Sequence, residues 1–262
     1  MCVIAVKKKG IPVPGDGTLR KCFEANPHGA GMMYLTKRGV RVRKGLMTWK
    51  AFKAAHDRLR FGDDSVVVYH FRKATGGNVN PGNTHPFPVT KDVDVMRRTE
   101  GEYKMAMAHN GTLRNQPRDG MSDTQLFVCD VLAAPVVREN LHDASVRELI
   151  EGYISDSLVA VLDADGSLHA LGDGWEEDGD GVMFSNMDWR EDRVPTKYFM
   201  DGKGSLVSYR TLGGRPRPRG LIYAVDGKNK AKKANGNGKA FGAARMMAAD
   251  TRSGSAFFVL IR

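Results

Sequence analysis

Apolar segments of strand length recur along the first two thirds of the chain. Those at residues 2–6 and 65–71 are rich in β-branched residues, which favour extended structure, and further apolar runs lie at 105–109 and 157–162. Turn residues also separate paired apolar runs, which predicts hairpins over 31–42 and 157–171. The pattern therefore predicts several antiparallel strands.

Three further segments predict helices, at residues 48–59, 124–134 and 145–154. The second follows Ser122 and Asp123, whose side chains are well suited to cap a helix N-terminus. Because strands outnumber helices and hairpins are common, we predict a layered α+β domain rather than a doubly wound parallel sheet.

The net charge of +10 is concentrated near the C-terminus. Residues 215–245 hold nine basic side chains and one acidic residue, Asp226, so this segment alone carries +8. It is also rich in Gly, Ala, Asn and Pro, a composition that favours a flexible linker over a packed core. We therefore predict a folded domain over residues 2–212 and a basic, flexible segment over 213–262, with 256–261 as a candidate terminal strand.

The basic segment has two interpretations. A solvated linker is the simpler one, because runs of charge are usually solvated. The alternative is weak contact with nucleic acid through residues 215–245, which would fall steeply with salt and show little sequence preference.

The sequence predicts no membrane segment, because no run of 18 apolar residues occurs. Three lysines follow residues 1–6 directly, unlike the pattern of a signal peptide. The cysteines, Cys2, Cys22 and Cys129, are sparse and lack metal-ligand spacing. We therefore expect a cytoplasmic protein with reduced thiols.

No metal or cofactor is expected. The seven histidines show no paired metal spacing, and the chain contains neither a Gly-x-x-x-x-Gly-Lys phosphate loop nor a dinucleotide fingerprint. Residues 163–166 begin like a calcium loop but lack the later ligands, so a hairpin turn is the better interpretation.

Cys2 directly follows the initiator methionine. If Met1 is removed, the thiol and a free α-amine belong to one residue, and the amine, with a reference pKa of about 7.7–8.0, can accept the thiol proton. Short polar motifs follow, each of which alone has a structural explanation as a turn, a cap or an ion pair. They are Asn26-Pro27-His28-Gly29-Ala30-Gly31, His70-Phe71-Arg72-Lys73-Ala74-Thr75, Asn83-Thr84-His85-Pro86-Phe87, His109-Asn110-Gly111 and Ser122-Asp123-Thr124.

In this order, the cysteine and the five motifs resemble the class II glutamine amidotransferase domain of the N-terminal nucleophile hydrolases. The resemblance covers roughly residues 2–190. It implies a four-layer αββα sandwich and hydrolysis of the glutamine side-chain amide through a cysteine thioester. Residues 184–186 lie where such domains often have a short strand with a small residue.

The resemblance also implies the catalytic roles. Cys2 matches the nucleophile, with its own α-amine as general base and later as general acid. The Asn110 side chain and the Gly111 backbone N–H match the oxyanion hole, where loss of one donor typically costs about 10²–10³ in rate.

Substrate binding is implied in the same way. Arg72 matches the residue that pairs with the α-carboxylate, for which its planar fork is suited. Asp123 matches the carboxylate that holds the α-ammonium, and Thr75 and Gly76 match residues that line the pocket.

Three residues depart from the family's pattern. Lys73 stands where an aromatic residue is usual, Gly76 where a larger polar residue is common, and His28 where an acidic residue is frequent. These departures affect pocket shape and loop closure rather than the core chemistry. Such domains normally pass ammonia to a synthase domain, for which this chain has no room, so we expect a separate ammonia-accepting enzyme.

Two alternative functions stay open. One is an N-terminal-cysteine amidase that acts on another amide, and the other is a basic nucleic-acid-binding protein on a retired amidotransferase scaffold. Arg72 and Asp123 favour glutamine over both, because neither is required for an apolar acyl substrate or for phosphate contact.

Overall fold

The computed structural model describes residues 1–74, 78–114 and 120–190, and beyond them the backbone of five strands. The chain divides into two compact units, Met1–Glu191 and Asp192–Arg262. The first unit contains all of the described motif residues.

Strands in the first unit are mostly short. In chain order they are β1 (Val3–Lys7), β2 (Ala30–Thr36), β3 (Gly39–Leu46), β4 (Val67–Phe71), β5 (Phe87–Pro88), β6 (Glu100–Tyr103), β7 (Met105–Asn110), β8 (Leu158–Asp163), β9 (Leu168–Leu171), β10 (Glu176–Glu177) and β11 (Met183–Phe184). The helices are α1 (Asp16–Ala25), α2 (Trp49–Leu59), α3 (Val93–Arg97), α4 (Asp123–Phe127), α5 (Pro135–Arg138) and α6 (Ala144–Ile154).

These strands form two antiparallel sheets. The larger has the order β10-β11-β1-β4-β2-β3-β6, and the smaller has the order β5-β7-β8-β9. Strand β1 lies inside the larger sheet, where Val3 pairs with Phe71 and Ala5 pairs with Phe184. The strand that begins directly after Cys2 is therefore hydrogen-bonded along both edges.

A buried core separates the two sheets. Ile4 and Val6 of β1 pack there with Val68 of β4, against Ala106 and Ala160 of the smaller sheet. All five side chains are fully buried. Small alanines on one side and β-branched residues on the other fill the space between the two sheets.

Helices cover the outer faces. Strand residues that alternate with Ile4 and Val6 pack against Leu19 of α1 and Phe52 of α2. On the smaller sheet, Met107 packs with Phe127 of α4 and Ile150 of α6. Fully burying a large apolar side chain stabilises the fold by about 1.5–3 kcal/mol relative to exposure. The predicted four-layer αββα sandwich is confirmed.

Most predicted elements are confirmed within one or two residues at each boundary. The strands at 2–6, 65–71, 105–109 and 157–162 correspond to β1, β4, β7 and β8, and both hairpins are present. Helix α2 begins after Thr48, whose hydroxyl accepts the Ala51 N–H at 3.2 Å. Helix α6 matches the prediction at 145–154.

The helix predicted at residues 124–134 differs from the observed structure. The α-helix ends at Phe127 and continues as a π-helical turn, Val128–Leu132, in which the Ala133 N–H donates to the Val128 carbonyl at 2.8 Å. Ala134 then adopts an extended backbone, as expected for a residue that precedes a proline.

In the second unit, the structure describes five strands. Strands β12 (Lys197–Met200), β13 (Leu206–Leu212) and β14 (Arg215–Arg217) form one antiparallel sheet, and β15 (Ile222–Val225) pairs with β16 (Ala231–Ala234). Residues 256–261 lie outside the described residues. The domain division at 212/213, the flexible character of 213–262 and the nucleic-acid contact stay predictions.

The described residues hold neither a membrane-spanning helix nor a cluster of metal ligands. Every helix there is too short or too polar to cross a membrane. The same residues contain no group of three His, Cys, Asp or Glu side chains positioned to hold a metal ion.

Candidate active site

Cys2 lies half-buried at the start of β1, and its side chain contacts the backbone of Lys73. Sγ accepts the Lys73 N–H at 3.3 Å, and it lies 3.6 Å from the Lys73 carbonyl oxygen, to which the thiol donates. The Cys2 carbonyl accepts a hydrogen bond from Asn186 Nδ2 at 2.7 Å. These contacts fix both the backbone and the thiol of the candidate nucleophile.

Opposing effects act on the protonation of this thiol. Burial raises the pKa of Cys2 above its ordinary value, while the Lys73 N–H, the positive chain terminus and Arg72 favour the thiolate and Asp123 disfavours it. The net direction is upward, so the protonated thiol is the resting form. Because the thiolate is the nucleophile, attack requires a base that removes the proton.

Asn110, which is 4% exposed, ends β7 and is tied to the nucleophile's strand. Its Nδ2 donates to Ser185 Oγ at 3.0 Å, and the same hydroxyl accepts the Ile4 N–H at 2.9 Å. Ser185 thus bridges Asn110 to β1, two residues from Cys2. A side-chain amide carries two N–H donors, so the second is available to a developing negative charge.

Gly111 has no space for a side chain. Its φ is 146°, and an added Cβ would lie 2.2 Å from Ser157 Oγ and 2.9 Å from Ser157 Cα. Because the obstruction includes backbone, a substitution would displace the end of β7 together with Asn110. The glycine is therefore required for the local shape of this end of the strand.

Arg72 lies just beyond β4 and is 8% exposed. Its backbone N–H donates to the Gly29 carbonyl at 2.8 Å, and its Nη1 donates to the Asn78 carbonyl at 3.1 Å. A guanidinium has five N–H donors, so this bond leaves the fork able to pair with a carboxylate.

Asp123 is the first residue of α4, behind Ser122. Ser122 and Gln125 form a reciprocal capping box, which confirms the predicted cap. Asp123 Oδ2 accepts the Leu113 N–H and Oδ1 accepts the Thr124 N–H, both at 2.8 Å. The carboxylate is thus oriented by backbone donors before any ligand binds.

Three buried histidines connect the motifs to one another. The rings of His70 and His85 stack with centroids 4.3 Å apart, and the His109 N–H donates to His85 Nδ1 at 3.1 Å. His109 Nδ1 lies 2.8 Å from the Thr124 hydroxyl. Burial lowers the pKa of His70 to about 3 and that of His109 to about 4, so both rings are neutral near pH 7. Neutral imidazoles act here as packing and hydrogen-bonding groups.

The glycine-containing motif at residues 26–31 allows a close backbone approach. An added Cβ on Gly31 would lie 2.3 Å from the His85 carbonyl oxygen and 2.6 Å from Lys44 Cβ. At the start of the motif, Asn26 Nδ2 donates to the Cys22 carbonyl at 2.9 Å, which anchors the loop to α1. The first and third motifs therefore meet directly.

The structure links several predicted site residues through hydrogen bonds. The backbone of Lys73, next to Arg72, contacts Cys2 Sγ, and Asn110 reaches β1 through Ser185. Thr75 and Gly76 lie outside the described residues, so their predicted place in the pocket stays a prediction.

Sequence reasoning missed the supporting contacts. The sequence predicts no role for the Lys73 backbone or for the Asn186 amide. Ser185 is covered only as part of the segment 184–186. Their hydrogen bonds join parts of the chain that are far apart in sequence. The only available signals were the departure at residue 73 and the small residue at 185.

Comparison with known sequences gives a consistent result. The profile of the family described as glutamine amidotransferases class-II matches residues 22–174. A putative glutamine amidotransferase from Haemophilus influenzae is 33% identical over 95 residues, which is 36% of this chain and 29% of that protein. The profile match begins after Cys2.

Solved structures with some likeness include the glutamine phosphoribosylpyrophosphate amidotransferase from B. subtilis in complex with ADP and GMP. Its TM-score is 0.45 at 13% identity, over 89% of this chain and 49% of that chain. A structure described as the allosteric regulatory enzyme of purine biosynthesis has a TM-score of 0.36 at 12% identity, with the same coverage. This chain therefore spans about half the length of each. Because the family profile matches more than half of the sequence, the protein belongs to the class-II glutamine amidotransferases.

Proposed function

We propose that this protein hydrolyses the side-chain amide of glutamine through a thioester on Cys2 and releases ammonia for a separate acceptor enzyme. The observation that carries the proposal is that Sγ of half-buried Cys2 contacts the backbone of Lys73, the residue that follows the buried cation Arg72. Burial is the main cause of the raised pKa of Cys2, and among the smaller effects Arg72 lowers this pKa and Asp123 raises it. Arg72 follows β4 of the larger sheet, and Asp123 begins α4, which packs on the smaller sheet. A free amino acid carries the complementary pair of charges.

The first half of the reaction forms the thioester. After removal of Met1, the α-amine of Cys2 takes the thiol proton as Sγ attacks the glutamine side-chain carbonyl carbon. The Asn110 Nδ2 and the Gly111 N–H stabilise the negative charge on the carbonyl oxygen. The carbon–nitrogen bond then breaks, and the α-ammonium returns its proton to the departing ammonia.

The second half consumes water. The α-amine of Cys2 removes a proton from a water molecule as the water attacks the thioester carbonyl, and the same oxyanion donors stabilise the second tetrahedral species. Collapse breaks the carbon–sulfur bond, the proton returns to sulfur, and glutamate leaves. One base therefore serves both halves of the reaction.

Recognition of the α-carbon end restricts the substrate. Arg72 pairs with the carboxylate and Asp123 with the ammonium, which favours free glutamine over a glutamine within a peptide. An N-terminal-cysteine amidase for another amide would not require both charges. Thr75 and Gly76 complete the pocket in this proposal, and the free thiol suits a reducing, cytoplasmic environment.

Covalent labelling tests the proposal. A diazoketone analogue of glutamine should alkylate Cys2 with loss of nitrogen, and intact mass should show that Met1 is absent from the active protein. Cys22 and Cys129 are buried thiols outside any disulfide and serve as internal controls. Labelling of either of these instead of Cys2, or full activity with Met1 retained, would contradict the N-terminal mechanism.

A second test concerns the ammonium partner. Asp123→Asn removes the negative charge, so we expect the KM for glutamine to rise by about 10-fold or more, since a hydrogen bond to a charged group contributes about 1.5–3 kcal/mol. The wild-type protein should prefer glutamine over glutaramate, which lacks the α-ammonium. The variant should lose most of this preference in kcat/KM.

Asp94→Asn is the matched control for Asp123→Asn. Asp94 also lies in the first turn of a short helix, α3, so the two changes alter the helix dipole interaction alike. The control should keep the wild-type KM and substrate preference. An unchanged preference in Asp123→Asn would show that another group holds the ammonium.

A further inference from the structure

The backbone after Arg72 is held by two side chains from different motifs. The Lys73 carbonyl and N–H contact Cys2 Sγ, at 3.6 and 3.3 Å. The next N–H along the chain, that of Ala74, donates to His28 Nδ1 at 3.0 Å. The Lys73 carbonyl and the Ala74 N–H belong to one planar peptide group, so the thiol and the imidazole hold opposite sides of the same rigid unit.

His28 is itself fixed by backbone pairing. Its N–H donates to the Arg72 carbonyl at 3.0 Å, and the Arg72 N–H donates to the Gly29 carbonyl at 2.8 Å. These two bonds continue the pairing of β2 with β4 beyond the ends of both strands. The backbone that carries the imidazole is therefore held in place when Nδ1 accepts the Ala74 N–H.

The hydrogen bond also defines the state of the ring. Nδ1 accepts the Ala74 N–H, so it carries a lone pair, and a neutral imidazole then bears its hydrogen on Nε2. A carboxamide oxygen one bond beyond Cγ can occupy nearly the same position as Nδ1. Asparagine can thus replace the acceptor, whereas leucine removes it at similar volume.

We propose that His28 is a positioning residue for Cys2. By accepting the Ala74 N–H, it sets the orientation of the Lys73–Ala74 peptide, and the Lys73 carbonyl in turn directs the thiol toward the substrate. His28 acts through the backbone and does not touch the reacting atoms. This inference rests on the proposed function of Cys2 as the nucleophile.

Four variants test this inference: His28→Leu, His28→Asn, His28→Gln and, as a control, His142→Leu at an exposed histidine. Each is assayed for glutaminase kcat and KM and for the rate of Cys2 alkylation by iodoacetamide, measured by mass spectrometry. We expect His28→Leu to change both kcat and the alkylation rate by about 3- to 10-fold, the effect of one lost hydrogen bond, with little change in KM. His28→Asn should restore both to near wild type, and His142→Leu should change neither.

The glutamine variant covers the case in which His28→Leu does not fold. Its carboxamide is one methylene further out, so it should be soluble but unable to place the acceptor, and it should resemble the leucine variant in kcat. Wild-type kcat and alkylation rate in both His28→Leu and His28→Gln would overturn the inference, as would an asparagine variant as impaired as these. Failure of the proposed function is a separate result, because glutaminase activity would then persist in Cys2→Ala. The alkylation rate needs no glutamine, so it still tests the effect of His28 on the thiol in that case.

Discussion

Cys2→Ala is expected to reduce glutamine hydrolysis to background. The change removes the only atom proposed to form the thioester, and oxyanion stabilisation without a nucleophile gives little rate. The side chain is half-buried at the start of β1, so the free energy of unfolding should change by less than about 1 kcal/mol. Ammonia release measures the activity, and thermal melting measures the stability.

Cys129→Ala is the matched control. Cys129 is a buried thiol outside any disulfide at the π-helical turn, where its Sγ lies 3.7 Å from the Lys91 carbonyl, and it is not among the predicted site residues. It should keep near wild-type kcat, with at most a modest loss of stability from the small cavity. Residual turnover in Cys2→Ala comparable to that of this control would exclude Cys2 as the nucleophile.

Asn110→Ala should have the second-largest effect. Loss of one oxyanion donor typically lowers kcat by about 10²–10³. The KM for glutamine should change little, because the neutral carbonyl of bound glutamine accepts a weaker hydrogen bond than the oxyanion does. Ser185 would still accept the Ile4 N–H, so β1 should stay in register. Steady-state kinetics with glutamine separate the two parameters.

Asn140→Ala controls for loss of a side-chain amide elsewhere. Asn140 Nδ2 donates to the Val136 carbonyl at 2.9 Å beyond α5, outside the candidate site. Its kcat should equal that of the wild type. If Asn110→Ala raised KM while leaving kcat intact, Asn110 would be a substrate-binding residue, and the oxyanion assignment would be wrong.

The strands of the two-sheet core were predictable because both of their faces are buried. In β1 and β4 every side chain is buried, and a strand with both faces covered carries an uninterrupted apolar run. Such runs are short and β-branched, so a helix is a poor alternative. Helix α2 was predictable because Thr48 caps it and an apolar stripe follows.

Helix α1 could not be predicted from the same signals. Gly15 precedes it without a side-chain cap, and its buried residues are only Leu19, Cys22 and Phe23. That stripe is too narrow to stand out against the polar residues around it. The two-residue strands β5 and β10 were missed for another reason: two residues are too few to show an alternating pattern. Only the resemblance indicated a strand near β11, whose partner β1 is far along the chain.

The candidate site likewise contains residues that the sequence predicts and residues that only the structure shows. Cys2, Arg72, Asn110 and Asp123 are predicted because their order resembles that of a known family and their side chains suit its chemistry. Ser185 and His28 act through hydrogen bonds to backbone or to another polar side chain, and nothing in the local sequence shows which group they meet. Such partners are determined by tertiary packing.

The bridge made by Ser185 has a consequence for the order of assembly. Ile4 and Ser185 are 181 residues apart in sequence, and β1 completes its pairing only when β11 joins it. Contacts of such long range close late, because the loop-closure entropy must be overcome first. During synthesis Cys2 is made long before Ser185, and the strand after Cys2 lacks one neighbour until β11 has been made. The Cys2 thiol should therefore reach its native surroundings as one of the last events of folding.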